Sequence, residues 1–392
     1  MKKENTTEKP ERKKRKGRIL LFTFNLSFFM LLVFFAFYSF IMPDRSFSEN
    51  ENRVLEQSPS ITAQGLFDGS FMKKYEAYLT DQFPFRDGAI LLKSRLERLL
   101  GKKEENGAYI GKNGFIFDFQ ADYDEEKMKE LAKAVNSFKK KNPSLNTVFA
   151  LIPNSSFIYA ENLPEYLECE NQQLQTEHFY SLLEEEILTV NATEALLEGK
   201  KEHQMFYKTD HHWTTRGAFC VFEKLKNPLK LEADETEYEF YNVSNRFRGT
   251  LGSKAASVNS LDSVEICLPK DSAGSYFIDF YNQKEKSASF FFEEKLKEKN
   301  KYEVFLGGNY EKLSVSTTLE GDRKLLVIKD SYANCLLPML TPYFSKILVL
   351  DPRYMTESVD TVMMEDSFTD VLFLYNANTL FEDTTLKTVL ES

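Results

Sequence analysis

Leu325-Leu326-Val327-Ile328-Lys329-Asp330-Ser331-Tyr332-Ala333-Asn334 carries four apolar residues into a polar turn, and Tyr332 to Leu340 then reads as an apolar helix. A short continuous apolar run suits a buried strand, so the chain here runs strand, tight turn, helix. Such a turn exposes a serine hydroxyl and sets backbone N–H groups at a helix start beside it, where an oxyanion is stabilised. Ser331 is therefore a candidate nucleophile, with Tyr332 as an adjoining oxyanion or substrate contact. Ser331 or Asp330 acting only as a helix cap meets the same pattern, so the nucleophile reading requires a base elsewhere in the chain.

Lys208-Thr209-Asp210-His211-His212-Trp213-Thr214-Thr215-Arg216 supplies one. It holds the only Trp and two of the four His of the chain. An Asp two residues from a His can orient the ring and stabilise its charged form during proton transfer. Asp210 and His212 are thus candidate partners of Ser331, while His211 and Trp213 shape or pack the site. The run follows a short predicted strand, Met205 to Tyr207, and precedes a helix, Thr214 to Leu225, with Thr214 as its N-cap. Asp210, His211 and His212 as metal ligands are disfavoured, because adjacent histidines on a strand point to opposite faces and no second carboxylate–histidine cluster accompanies them. Neither a metal nor a cofactor is expected.

Around these two segments, strands alternate with helices. Met128, Leu131, Val135 and Phe138 mark a helix face; Thr147 to Ile152 is an apolar strand; Leu174, Leu182, Leu183 and Ile187 suit a second helix. Ile347 to Leu350 and Val371 to Leu374 are further strands. Short apolar strands separated by helices predict a mostly parallel α/β sheet with helices on both faces. Ligands gather beyond the carboxyl ends of such strands, which makes Asn154, Ser155 and Asn376 candidate cleft residues. Arg248 and Gly249 are candidates as a substrate contact and an oxyanion donor. Residues from about 234 to 320 are richer in aromatics, less periodic, and read as an insertion of strands and loops.

The N-terminus has a different character. The first 18 residues carry nine Lys or Arg against three Glu, and Ile19 to Met42 is free of charge. A bilayer needs about 20 apolar residues in a helix, and a basic flank predicts a cytoplasmic N-terminus. The apolar run exceeds a signal peptide's usual length and ends in bulky Phe37, Tyr38 and Phe40, so an uncleaved anchor is expected. Residues 1–18 are then a basic cytoplasmic tail, 19–42 a transmembrane signal anchor, and 43–105 an extracellular stalk and helical segment broken at Pro84. Tyr109 to Phe117 follows as a hairpin turning at Asn113-Gly114. From residue 19 onward, 41 basic and 57 acidic residues leave a net charge of −16, which excludes a nucleic-acid partner. Cys169, Cys220, Cys267 and Cys335 show no metal-binding spacing; a disulfide and buried free thiols both remain open.

Asp210-His211-His212-Trp213 resembles the motif for which the bacterial DHHW family is named. Glu49-Asn50-Glu51-Asn52-Arg53, Asp81-Gln82-Phe83-Pro84-Phe85-Arg86-Asp87, Tyr109-Ile110-Gly111-Lys112-Asn113-Gly114 and Val327 to Asn334 also resemble family motifs. That family is similar to the SGNH-like domains of alginate O-acetyltransferases, whose Asp-x-His-Trp motif precedes a strand-end Ser. The resemblance places that Asp, His and Ser on Asp210, His212 and Ser331. It implies an SGNH/GDSL-like three-layer α/β/α fold over 106–392 and O-acyl transfer, most simply of acetyl, on a cell-surface polysaccharide. It further implies a membrane-bound O-acyltransferase as partner. A non-catalytic glycan-binding scaffold and an extracellular carbohydrate esterase are the alternatives. Lys329 departs from the pattern: it stands where Gly-Asp-Ser esterases have Gly, and a bulky side chain there narrows the oxyanion hole.

Overall fold

The computed structural model describes residues 8–48, 53–231, 236–256, 258–270, 276–281 and 285–391. The Glu49–Asn52 part of one family motif lies outside the described residues. The chain divides into two compact units, Met1–Lys93 and Ser94–Ser392.

In the first unit, helix α1 (Glu8–Ile41) contains one segment, Arg15–Ile41, long and apolar enough to cross a membrane, and none of that segment is buried. Helices α2 (Ser70–Asp81) and α3 (Arg86–Leu99) follow; α3 continues past the boundary of the unit. Pro84 separates them, as its missing N–H requires. The motif at 81–87 works as a clamp on the segment leaving α1. Asp81 accepts from Arg53 Nη1 and from the Glu56 N–H, both at 2.8 Å. Gln82 bonds the N–H and carbonyl of Arg45, and Asp87 pairs with the Arg45 guanidinium at 2.9 Å. Hydrogen bonding to Arg53 holds the Asp81 carboxyl down at about 2.

The second unit opens with the expected hairpin, β1 (Ala108–Ile110) and β2 (Ile116–Asp118). Asn113 and Gly114 both take positive φ, 54° and 81°, the backbone for which Asn-Gly is suited. Next come α4 (Glu125–Lys141), β3 (Asn146–Ile152), α5 (Gln172–Ser181), β4 (Ile187–Val190), α6 (Ala192–Gly199) and α7 (Thr215–Leu225). An antiparallel ribbon, β5 (Tyr238–Phe247) and β6 (Asp262–Pro269), stands apart from the main sheet. The chain then supplies β7 (Tyr276–Phe280), β8 (Glu285–Ser287), β9 (Lys312–Thr317), β10 (Lys324–Lys329), β11 (Lys346–Leu350), β12 (Asp370–Asn376), α8 (Ala377–Glu382) and α9 (Thr385–Glu391).

The main sheet has eight strands in the order β8-β7-β9-β11-β10-β12-β3-β4. The five from β11 to β4 are parallel, and β9, β7 and β8 extend that edge antiparallel. Alternation along each strand sorts side chains onto two faces. Val148, Ala150, Leu325, Val327, Leu372 and Leu374 join α6, α7 and Trp213 in one core. Phe149, Leu151, Leu326, Ile328, Val371 and Phe373 join α4 and α9 in the other. The result is an SGNH-like α/β domain in three layers with a mostly parallel sheet.

Three local expectations change. The helix through Leu174 ends at Ser181, and Ile187 opens strand β4 instead. Tyr180 fixes that edge: its hydroxyl donates to the Val190 carbonyl and accepts from the Leu151 N–H. The helix after Ser331 is a 3₁₀ turn, Ser331–Cys335, followed by a short α-helix, Leu337–Leu340; Pro338 has no N–H with which to continue a helical ladder. Met205 to Tyr207 forms only a bridge, Phe206 to Trp213. Residues 205–214 are therefore a closed loop rather than the end of a sheet strand.

Phe149 sits at the centre of its core layer, stacked on Phe373 at 5.3 Å between ring centroids and edge-on to Phe179 at 5.2 Å. Phe149→Ala is expected to cost about 3–5 kcal/mol, read as a lower midpoint in urea-induced unfolding.

Candidate active site

The site is assembled from a loop and a turn. Loop 205–214 is closed by Thr214 N–H to the Met205 carbonyl at 2.8 Å and by Tyr207 N–H to the His212 carbonyl at 3.2 Å. Asp262 holds it from outside, accepting from the N–H groups of Lys208 and Thr209 and from the Thr209 hydroxyl. Thr214 caps α7 through its hydroxyl, as its position before the helix predicts. Trp213, fully buried, donates its Nε1–H to the carbonyl of Tyr332 at 2.8 Å. That bond ties the loop to the turn at the end of β10.

Within this frame Asp210, His212 and Ser331 meet. Asp210 Oδ1 lies 2.6 Å from His212 Nδ1, and His212 Nε2 lies 2.8 Å from Ser331 Oγ. The second carboxylate oxygen of Asp210 accepts from the N–H and hydroxyl of Thr250. This assigns the proton on His212: Nδ1–H donates to the carboxylate, which leaves Nε2 to accept from the serine hydroxyl. Burial, together with His211, pushes the His212 ring down to about 4 against the pull of Asp210. Burial opposes ionisation of Asp210, but the imidazoles and the Thr250 N–H outweigh it and hold the carboxyl well below its usual range. The pair is thus carboxylate and neutral imidazole, the state a general base needs.

Other sequence candidates fall into different places. The Tyr332 N–H donates to Asp330 Oδ1 at 2.9 Å and its phenol donates to the His211 carbonyl, so Tyr332 braces the site and is not free to bind an oxyanion. Gly249 is likewise engaged: its N–H donates to Thr209 Oγ1 at 3.0 Å. A Cβ there would lie 2.3 Å from the Asp210 Cβ, so glycine is needed for close packing rather than as a donor. Arg248 donates to the carbonyls of Gly252, Ala255 and Ala256 and supports its own loop. Asn376 caps α8 through Oδ1 and donates to the Ile152 carbonyl, which uses both ends of its amide. Ser155 is buried in the short helix Ser155–Ile158.

Asn154 is the exception. Gln172 Oε1 must accept from the Asn154 backbone N–H, so Gln172 Nε2 donates to Asn154 Oδ1. Asn154 Nδ2 is left toward a cleft of about 560 Å³ that His211 and Arg353 also line. Asn154 Nδ2 and the Ser331 N–H have no hydrogen-bond partner among the described residues. Lys329 does not crowd the site. Its ammonium turns into the protein, 2.9 Å from Asn334 Oδ1 and 3.2 Å from Asp351 Oδ2. Asp351 in turn takes a two-pronged contact from Arg353 at 2.8 and 2.7 Å.

Ligand atoms of Asp210, His211 and His212 lie within 4.8 Å of one another. They are already committed, however: His212 through both nitrogens, and His211 Nδ1 to Thr250 Oγ1 at 3.1 Å. All four cysteines are free thiols.

One residue escaped the sequence reading. Tyr302 stacks on His212, with ring centroids 3.7 Å apart and planes 12° apart, and its hydroxyl donates to the Ser331 carbonyl at 3.0 Å. It is one of 19 tyrosines in an aperiodic stretch, so no local pattern marks it.

The fold is that of an SGNH-like α/β domain. Residues 114–300 match the family model described as SGNH hydrolase-like domain, acetyltransferase AlgX, a stretch that includes Asp210–Trp213 and ends before Ser331. A DHHW family protein from Eubacterium siraeum is similar in structure, with a TM-score of 0.61 at 20% identity, covering 74% of this chain and 96% of its own. Bacillus cereus PatB1 with a sulfonyl adduct has a TM-score of 0.59 at 18% identity, covering 71% and 96%. The O-acetyltransferase domain of Pseudomonas putida AlgJ has a TM-score of 0.47 at 11% identity, covering 73% and 99%. No curated protein sequence matches the chain.

With only four histidines in the chain, NMR can follow the His212 ring directly. Its titration is expected at about pH 4 rather than near the usual value of about 6.5. Because the fold prefers the neutral ring, the unfolded chain binds more protons between these two values. Stability therefore falls as pH drops from about 6.5 toward 4. A midpoint near 6.5 would contradict the buried relay.

Proposed function

We propose that the protein is a membrane-anchored O-acyltransferase that moves an acyl group, most simply acetyl, to a hydroxyl of a cell-surface polysaccharide by a Ser-His-Asp mechanism. One observation carries this reading: the continuous relay from Asp210 through His212 to Ser331, joining residues far apart in sequence. The acetyltransferase family match over residues 114–300 supports the choice of reaction.

In the proposed cycle, Ser331 Oγ attacks the acyl carbon of the donor as its proton passes to His212 Nε2. The developing oxyanion is met by the Ser331 N–H and Asn154 Nδ2. His212 then protonates the leaving oxygen, and an acyl-serine remains. An acceptor hydroxyl next gives its proton to Nε2 and attacks the same carbon; collapse returns the proton to Ser331 Oγ. Asp210 keeps the ring in its Nδ1–H form and stabilises the imidazolium that forms in each half. Tyr302 and Trp213 act as positioning residues, one through its stack on the ring and the other through the Tyr332 carbonyl.

The apolar segment of α1 serves as a single-pass anchor. The basic run Arg12-Lys13-Lys14-Arg15-Lys16-Gly17-Arg18 supports a cytoplasmic N-terminus with the domain outside. The net negative charge of that domain argues against a nucleic-acid partner. A membrane-bound O-acyltransferase that exports the acyl group is the partner this arrangement calls for.

Ser331→Ala is expected to lower acyl-transfer kcat by about 10³-fold or more and to abolish labelling by a sulfonyl probe, the adduct chemistry seen on PatB1. The acetyl content of the producing cell's surface glycan falls with it. Unchanged acetyl content, or labelling that survives the substitution, would refute the assignment.

A further inference from the structure

The first unit carries an apolar groove that the acyl-transfer reading does not use. Met72, Tyr75, Leu79, Phe83 and Ile90 line a cavity of about 840 Å³ between α2 and α3. Soluble surfaces seldom leave large apolar areas open without an occupant, and here Met72, Leu79 and Phe83 are all exposed.

The location of the groove identifies its occupant. Phe83 belongs both to the groove lining and to a ring contact with Phe35 of α1, 5.2 Å between centroids. Two residues on, Phe85 stacks on Tyr38 of α1 at 5.1 Å and 24°. Phe85 holds a left-handed backbone, φ 56°, which is rare for a bulky side chain. Its ring is 61% exposed, so this backbone presents an aromatic to the surroundings instead of burying it. The charge-free run begins at Ile19. At 1.5 Å per residue, a hydrocarbon core of about 30 Å is crossed after about 20 residues, near Tyr38 and Ser39. Phe35 then lies just inside the far boundary of the core, and Tyr38 lies at the interface, where tyrosines concentrate. Phe83 and Phe85, in contact with those two rings, are at the same depth. Lys73 and Lys74 are exposed on α2 beside the groove residues and match the phosphate headgroups of that depth.

We propose that α2, α3 and the Phe83-Pro84-Phe85 corner form an interfacial anchor, and that their groove takes an acyl chain of a phospholipid from the leaflet into which α1 emerges. This rests on the reading of α1 as a membrane span and is independent of the chemistry at Ser331. The anchor gives the protein a second attachment that restrains the chain just outside the bilayer, where a span alone would leave a free pivot.

The test uses the full chain reconstituted into phosphatidylcholine–phosphatidylglycerol vesicles, with single-tryptophan reporters at Tyr75→Trp, Phe85→Trp and, within the span, Phe28→Trp. Native Trp213 is fully buried and supplies the constant background. Phospholipids brominated on their acyl chains should remove most of the added emission at all three positions, while aqueous iodide should leave Tyr75→Trp and Phe85→Trp largely unquenched. If Phe28→Trp responds to bromolipid but the other two respond to iodide instead, the anchor is overturned and the span stands. Bromolipid quenching at Phe85→Trp without quenching at Tyr75→Trp overturns the groove as a lipid seat. Protection of Tyr75→Trp and Phe85→Trp from both quenchers means a protein occupies the groove and also overturns it. Failure of Phe28→Trp to respond removes the span reading itself, and this inference with it.

Discussion

The hydrogen bond from Trp213 Nε1 to the Tyr332 carbonyl is the joint on which the site depends. The indole is fully buried, so its N–H must find an acceptor or lose a hydrogen bond's worth of desolvation energy. The acceptor it finds belongs to the residue after Ser331. Meeting that single requirement docks loop 205–214 onto the turn after β10 and brings His212 Nε2 within reach of Ser331 Oγ. Tyr302 closes the arrangement from the other side, stacking on the imidazole and donating to the Ser331 carbonyl. Both braces act on the two partners of the relay at once, so the distance between them is set by packing rather than by a flexible loop.

Behind the turn lies a second constraint, made of buried charge. Lys329, Asp330 and Asp351 are all essentially inaccessible to solvent, and an isolated charge there would be costly. Lys329 and Asp351 meet that cost as an ion pair, while burial pushes the Asp330 carboxyl up. Asp351 receives Lys329 on one side and the fork of Arg353 on the other. Asp330 accepts from the N–H groups of Tyr332 and Asn376, and so links the ends of β10 and β12. A lysine in place of the small residue usual before Asp-Ser is accommodated because the end of β10 directs it into this network and away from the serine.

Much of this was legible in the chain. The apolar runs at 147–152, 325–328, 347–350 and 371–374 announced parallel strands, since strands buried on both faces carry little else. Asp210, His212 and Ser331 stood out because scarce residue types occurred in patterns that local structure alone does not require. What escaped notice lacked such contrast. Tyr302 is one aromatic among many, Asp262 one carboxylate among many, and nothing adjacent in sequence hints that one stacks on the imidazole and the other holds the loop that carries it. Gly249 and Asn376 stand at the expected places, where one yields room to Asp210 and the other caps a helix beside the cleft.

The sequence by itself determined the apolar N-terminal segment, the alternation that builds the sheet, and the three residue types of the relay, because each depends on local composition and period. Tertiary structure alone decided which N–H groups keep no protein partner, where the Lys329 ammonium goes, and that Tyr302 stacks on the imidazole. Those outcomes turn on hydrogen-bond accounting among residues distant in the chain. A backbone N–H or an amide is available to a ligand only if no neighbour has claimed it, and the folded molecule alone shows which neighbours are present.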